Sequence, residues 1–192
     1  FSVKPTKASW VKGFVNQETV FIPQIPQYIG DFVINSILYT VGTSFLKTLA
    51  PMIVGYLCAR YRNKFSAFMH TFVVFVMVTP IVGGTAPMLA LIRGLGIYDS
   101  WFDVYLRSLG NFANMFFLVF FAFFESASNS YAEAAEIDGA SQFRVMVTIY
   151  FPLAMTMFGT VFLMNFVEAW NDYNTPLMYL PSKITLAYAV YY

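Results

Sequence analysis

The chain is poor in charge, cysteine and histidine. Only 11% of its 192 residues are Asp, Glu, Lys or Arg, against about a quarter in soluble domains. A single cysteine, Cys58, excludes an internal disulfide and a cysteine-cluster metal site. A single histidine, His70, would have to carry any Ser/His/Asp or histidine-rich metal chemistry alone, and at the start of an apolar block it reads as structural. The formal net charge is +1, with no Lys/Arg-rich run and no basic patch interleaved with aromatics, so nucleic acid is not an expected partner. Residues 1 to 30 lack a signal-peptide core and, broken by Pro5, Pro23 and Pro26, read as an external loop.

What is present is apolar surface. With 58% apolar and 20% aromatic residues the chain belongs in lipid. A bilayer core of about 30 Å takes roughly 20 apolar residues per helix, and four segments qualify: 31 to 59, 66 to 92, 107 to 125 and 145 to 169. The expected fold is therefore all-α, a polytopic transmembrane helical bundle. The connectors are a basic turn from Arg60 to Lys64, a stretch from 93 to 106 with Tyr98, Trp101 and Tyr105 as headgroup anchors, and an acidic segment. By loop parity Lys4, Lys7, Lys12, Arg93, Arg107 and Lys183 fall on one side, and Arg60, Arg62, Lys64 and Arg144 on the other. Because charges close to helix ends weigh most, the dense turn at 60 to 64 marks the cytoplasmic side.

Two spans carry irregularities. Pro51 has no N–H for the carbonyl of Lys47, which predicts a kink over 47 to 51. Lys47 lies about 20 Å of helix rise from Arg60, a depth at which a lysine costs about 2.5–3.5 kcal/mol on insertion scales. It should face protein, water or a counter-charge, either by snorkelling and pairing with a partner subunit or by lining a pathway. In the second span, Pro80, Gly83, Gly84 and Pro87 predict a broken helix that faces a conduit or an interface, or merely improves packing.

The acidic segment, 126 to 144, is polar between two apolar blocks. Tyr131, Ala134, Ala135 and Asp138 fall at i, i+3, i+4, i+7 and share a helix face whose small residues admit another backbone, with Glu133 and Glu136 beside them for basic groups. Gly139 fits a left-handed C-terminal cap. Phe143, Val147 and Phe151 then form an amphipathic stripe leading into Pro152. An ordinary surface hairpin and a docking helix both satisfy this pattern.

Glu133-Ala134-Ala135, three residues, Gly139, nine residues, then Ile149-Tyr150-Phe151-Pro152 resembles the EAA loop of permease subunits in bacterial binding-protein-dependent ABC importers, those with a MetI-like transmembrane domain. Phe151 replaces the usual leucine, Ser128 stands where a proline is usual, and Glu125 where a basic or neutral residue is common. Phe1-Ser2 with Pro5, Asn35-Ser36, Ala59-Arg60-Tyr61 and Arg93-Gly94-Leu95-Gly96-Ile97 resemble further segments of the carbohydrate-importing group, and Trp170-Asn171-Asp172-Tyr173 with Pro176-Leu177 resembles its WNEF…PL signature.

The resemblance implies a type I importer permease core in a bacterial inner or cytoplasmic membrane, holding spans two to five of six, with 170 to 192 an external loop leading to a missing last span. It implies as partners a second permease subunit, cytoplasmic ATP-binding subunits and an extracytoplasmic solute-binding protein. Residues Glu133, Ala134, Ala135, Asp138 and Gly139 would couple to the ATPase. No P-loop pattern occurs here, so ATP and Mg would be bound, and ATP hydrolysed, in the partner; this chain needs no cofactor and no metal of its own and is not expected to be an enzyme. Candidates for the substrate pathway are Asn165, Glu168, Trp170, Asn171, Asp172 and Lys47: the Trp offers a stacking face, the amides and carboxylates bind hydroxyls, and the same residues also suit a helix-end interface. Importers of polyamines, phosphonates or amino acids share the EAA loop. An intramembrane enzyme would need a general base or metal ligand at depth, for which His70 alone is a poor basis.

Overall fold

The computed structural model describes residues 29–61, 63–79 and 83–191. The external-loop expectation for 1 to 28, with its Phe1-Ser2 and Pro5 resemblance, lies outside them, as do Arg62 and the 80–82 stretch of the second span.

Among the described residues the regular structure is all helical, without strands. Helix α1 (Ile29–Arg60) is the axis, and α4 (Trp101–Gly110), α5 (Met115–Ser126) and α9 (Met155–Asn171) pack along it. Most of its buried positions, Ser36, Tyr39, Thr40, Thr43, Ser44, Thr48, Met52, Gly55 and Tyr56, repeat at the helical period, with Ala50 and Pro51 buried between them, and the set is mostly small or hydroxylic. That is how helices pack in lipid, where apolar contact alone brings no advantage over the acyl chains. The hydroxyls close on their own helix: Thr43 Oγ1 donates to Tyr39 O at 2.6 Å and Thr48 Oγ1 to Ser44 O at 2.8 Å. Gly55 lets the backbone of α5 come close, since a Cβ there would lie 3.1 Å from Phe120 Cβ and 3.1 Å from the backbone nitrogen of Phe121. The α-helix runs through Pro51 without interruption.

The first expected span is therefore present, and it alone is long and apolar enough to cross a bilayer as one helix among the described residues. The second is broken as expected, into α2 (Lys64–Val78) and α3 (Thr85–Gly94). The third differs from expectation. Instead of one helix over 107 to 125, α4 and α5 meet at 53°. Asn114 causes the break: its Oδ1 accepts from Phe116 N at 2.9 Å and caps α5, while its Nδ2 donates to Asn111 O at 2.8 Å. Trp101 and Tyr105 consequently sit on α4 rather than in a connector.

The fourth span begins as α7 (Gln142–Val145), widens to a π turn over Met146–Tyr150, continues as α8 (Phe151–Leu153) and bends 69° into α9. Pro152 cannot donate to the Thr148 carbonyl, and the wide turn, with Phe151 N bonding Met146 O, accommodates it. The expected 170 to 192 loop instead holds α10 (Asn174–Tyr179) and α11 (Leu186–Tyr191). Asn35 Nδ2 donates to Ile184 O at 3.1 Å, and Ser36 Oγ accepts from Leu186 N at 2.7 Å, so this neighbouring pair pins α11 to the start of α1.

Candidate functional site

Two apolar clusters divide the bundle. One joins Tyr39, Ile92, Val104, Ala169, Tyr179 and Leu180 near the start of α1. The other joins Met52, Tyr56, Phe120, Phe124, Val145, Tyr150, Ala154 and Val161 near its end, and on this second cluster rides the acidic segment.

Within that segment α6 (Ser130–Ile137) buries no residue. Ala132 and Ala135 rest against the cluster, which leaves Ala134, Glu133, Asp138 and Gly139 on the exposed side and turns Ala135 partly toward the protein itself. Ile137, 87% exposed, stands at the tip. Gly139 has φ +80°. Its N–H bonds Glu136 O at 3.0 Å and the Ala140 N–H bonds Ala135 O at 2.9 Å, the two bonds of a Schellman cap. The expected cap is there, and a second of the same type ends α3 at Gly96, φ +70°. Of the expected apolar stripe, Phe151 packs partly against the second cluster while Phe143 and Val147 are exposed; the fully buried residues of this stretch are Val145, Tyr150 and Ala154.

Arg60, read in the sequence as a topology marker and as part of the Ala59-Arg60-Tyr61 resemblance, is central here. Its Nη2 donates to Ala127 O at 3.0 Å and Ser128 O at 3.2 Å, and its Nη1 to Asn129 Oδ1. The guanidinium lies 4.1 Å over the Tyr150 ring, and the Tyr150 hydroxyl donates to Ser128 O at 3.2 Å. Ser128 Oγ, at the position usually proline, accepts from Ser130 N at 3.2 Å and so opens α6 with a side chain instead of a ring. Beside these groups lies an open cleft of about 510 Å³ whose walls include Arg60, Glu125, Glu133, Glu136 and Gln142, with Gln142 Nε2 donating to Glu136 Oε1.

The pathway candidates divide along the α1–α9 seam. Asn165 is 3% exposed, and its Nδ2 donates to Thr48 Oγ1 at 3.0 Å. Asp172 accepts from the Tyr39 hydroxyl at 2.7 Å and from Thr175 N at 3.1 Å, which ties the end of α9 to α1 and caps the following turn. Both are committed to the bundle. Lys47 has the expected counter-charge: its Nζ is 3.5 Å from Glu168 Oε1, with the lysine side chain 19% and the glutamate 68% exposed. Trp170 stacks on Phe166 at 6.0 Å, and Asn171 is exposed with its Nδ2 on Val167 O at 2.8 Å. Glu168, Trp170 and Asn171 thus remain open to a neighbour or a solute, while Lys47 is mostly enclosed behind Glu168. Among the described residues no group of three or more His, Cys, Asp or Glu is placed to hold a metal ion.

Residues 52–188 match the family described as the binding-protein-dependent transport system inner membrane component. The chain belongs to this family. It is 27% identical over 173 residues to the polygalacturonan/rhamnogalacturonan transport system permease protein of Bacillus subtilis, covering 88% of this chain and 60% of that protein. It is 25% identical over 173 residues to the sulfoquinovosyl glycerol transport system permease protein of Agrobacterium fabrum (90% and 57% covered), and 28% identical over 185 residues to the sn-glycerol-3-phosphate transport system permease protein of Salmonella typhimurium (96% and 62%). A crystal structure of a bacterial ABC transporter involved in the import of the acidic polysaccharide alginate superimposes with a TM-score of 0.67 at 28% identity, covering 83% of this chain and 56% of that one. The chain therefore spans about 60% of the length of these relatives. Its all-α architecture is that of a transport-system membrane component, and the acidic segment with its Gly139 cap, together with the Trp170 to Tyr173 end of α9, falls inside the matched region.

Proposed function

We propose that the chain is the transmembrane permease subunit of an ATP-driven importer of the bacterial cytoplasmic or inner membrane, and that it lines the path of a sugar or oligosaccharide delivered by an external binding protein. Support for the coupling half comes from α6: a helix with no buried residue of its own, carried on a dense aromatic cluster and ended by Gly139, is built to receive a partner. In this reading a cytoplasmic ATPase grips Glu133, Ala134, Asp138 and Gly139, with Ala135 at the edge of the contact. ATP and Mg²⁺ bind in that partner, and a second permease subunit completes the channel.

Support for the cargo half is the exposed Trp170-Asn171 edge with the Lys47–Glu168 pair below it, and the glycan and sugar-derivative names carried by the relatives above. An aromatic face stacks on a pyranose while amides and carboxylates bind hydroxyls. A phosphorylated polyol is the second cargo class, favoured by the sn-glycerol-3-phosphate relative and by an in-membrane lysine that can meet an anion. Uptake by the full-length protein, reconstituted with its ATPase and binding protein and offered neutral oligosaccharides, uronates and glycerol phosphate in parallel, separates these cargoes. Accumulation of none of them removes the sugar reading.

A further inference from the structure

The Arg60 side chain joins parts of the fold that are remote in sequence. It is the last residue of α1, and its acceptors lie at 127 to 129, where α5 ends and the acidic segment begins. The ring beneath it belongs to Tyr150, in the π turn of the fourth span. One turn earlier on α1, Tyr56 packs on Phe124 of α5 with centroids 5.3 Å apart and on Tyr150 at 5.5 Å. Three helices and the start of α6 therefore meet on one guanidinium.

The chemistry suits arginine specifically. The carbonyls of Ala127 and Ser128 follow the C-terminal end of α5, where unpaired carbonyls concentrate negative potential. A planar fork can bond two carbonyls and an amide at once while its face lies on an aromatic ring; an ammonium cannot. The bonding is also incomplete: Arg60 Nε is buried without a hydrogen-bond acceptor. A buried donor left unpaired is costly, so the three bonds and the ring contact must offset it.

We propose that Arg60 is a positioning residue for coupling: it clamps the start of the acidic segment to the end of α1 and to the π turn, so that a push on α6 moves α1 and the fourth span together. This rests on the reading of α6 as the ATPase contact. Tyr150 supplies the platform and Asn129 the third bond, and both act through Arg60.

Double electron–electron resonance on the full-length complex tests the clamp. Spin labels go on Phe143→Cys, exposed on α7 at the end of the acidic segment, and Ile37→Cys on the exposed face of α1, in a Cys58→Ser background, with ATP–Mg–vanadate as the probe. With Arg60 intact the distance distribution stays the same on adding the probe. With Arg60→Met it broadens or shifts by several ångströms, Arg60→Lys recovers part of the wild-type behaviour, and Asn129→Ala and Tyr150→Leu give intermediate changes. Should Arg60→Met not assemble, the last two variants decide in the same way. A shift in the wild type as large as that in Arg60→Met, or variants that superimpose on the wild type, overturns the clamp while leaving the ATPase contact standing. If no ATPase co-purifies with the unmutated protein, the clamp falls together with the coupling reading.

Discussion

Lys47 Nζ lies 3.5 Å from Glu168 Oε1, joining α1 to α9 one residue along α1 and three along α9 from the buried Thr48–Asn165 hydrogen bond. The pair is lopsided, with Lys47 mostly enclosed and Glu168 mostly open. Glu168→Gln leaves the enclosed cation unpaired at a depth where insertion scales charge about 2.5–3.5 kcal/mol; Lys47→Met removes that charge and leaves a carboxylate that can reach water. Glu168→Gln is expected to lower the membrane level and detergent thermal stability of the protein more than Lys47→Met, and the double variant should recover most of the loss. Equal stability of the two single variants would remove the asymmetry. Wild-type uptake by Lys47→Met would remove Lys47 from the pathway.

At Gly139 the backbone is left-handed and a Cβ would meet nothing within 4 Å. The cost of substitution is thus conformational, on the order of 1–2 kcal/mol for an ordinary side chain and less for asparagine, which tolerates this region. Gly139→Asp should reach the membrane in normal amount and lose uptake, whereas Gly139→Asn should keep most of it. Quantitative blotting beside initial uptake rates reads both.

Gly55 and Gly42 contrast in a different way. A Cβ at Gly55 meets the backbone of α5, which cannot move aside alone; at Gly42 it would lie 2.4 Å from Tyr105 Cε1, part of a ring that can swing away at the expense of the 2.9 Å bond from the Tyr105 hydroxyl to Leu38 O. Gly55→Ala is expected to destabilise by about 1–3 kcal/mol, as overpacking does, and Gly42→Ala by less. Thermal unfolding in detergent gives the order, and a reversed order contradicts the packing account.

Trp170 and Asp172 are close in sequence and should behave oppositely. Trp170→Ala is expected to raise the KM for uptake about tenfold, the loss of roughly 1.4 kcal/mol of binding, with stability unchanged. Asp172→Ala strands the Tyr39 hydroxyl and the Thr175 N–H and should lower stability by about 1–3 kcal/mol. Unchanged uptake kinetics for Trp170→Ala would take it off the pathway.

The membrane class, the all-α fold, the broken second span and the Gly139 cap were legible because each follows from local rules: apolar length, prolines and glycines in a span, and a glycine where a short helix must turn. The break in the third span was signalled by Gly110, Asn111 and Asn114, but average hydropathy hides three residues among phenylalanines. The contacts of Arg60 were not legible, since two of its acceptors are backbone carbonyls 67 and 68 residues away, which have no sequence signature, and the third is the side chain of Asn129, 69 residues away. The same holds for Asn165 and Asp172. Their polarity suited a solute pathway or a helix-end interface alike, and their bonds to Thr48 and Tyr39 depend on how α9 lies on α1.

The central claim is that this permease chain imports a solute by receiving an ATPase on α6. Its most direct test is to purify the full-length protein from its own membrane with whatever accompanies it, and to measure ATP turnover with and without the binding protein charged with sugar. The account predicts an ATPase that co-purifies and is stimulated in the wild type, and one whose stimulation is lost in Gly139→Asp. Absence of the ATPase, or full stimulation in Gly139→Asp, would contradict it.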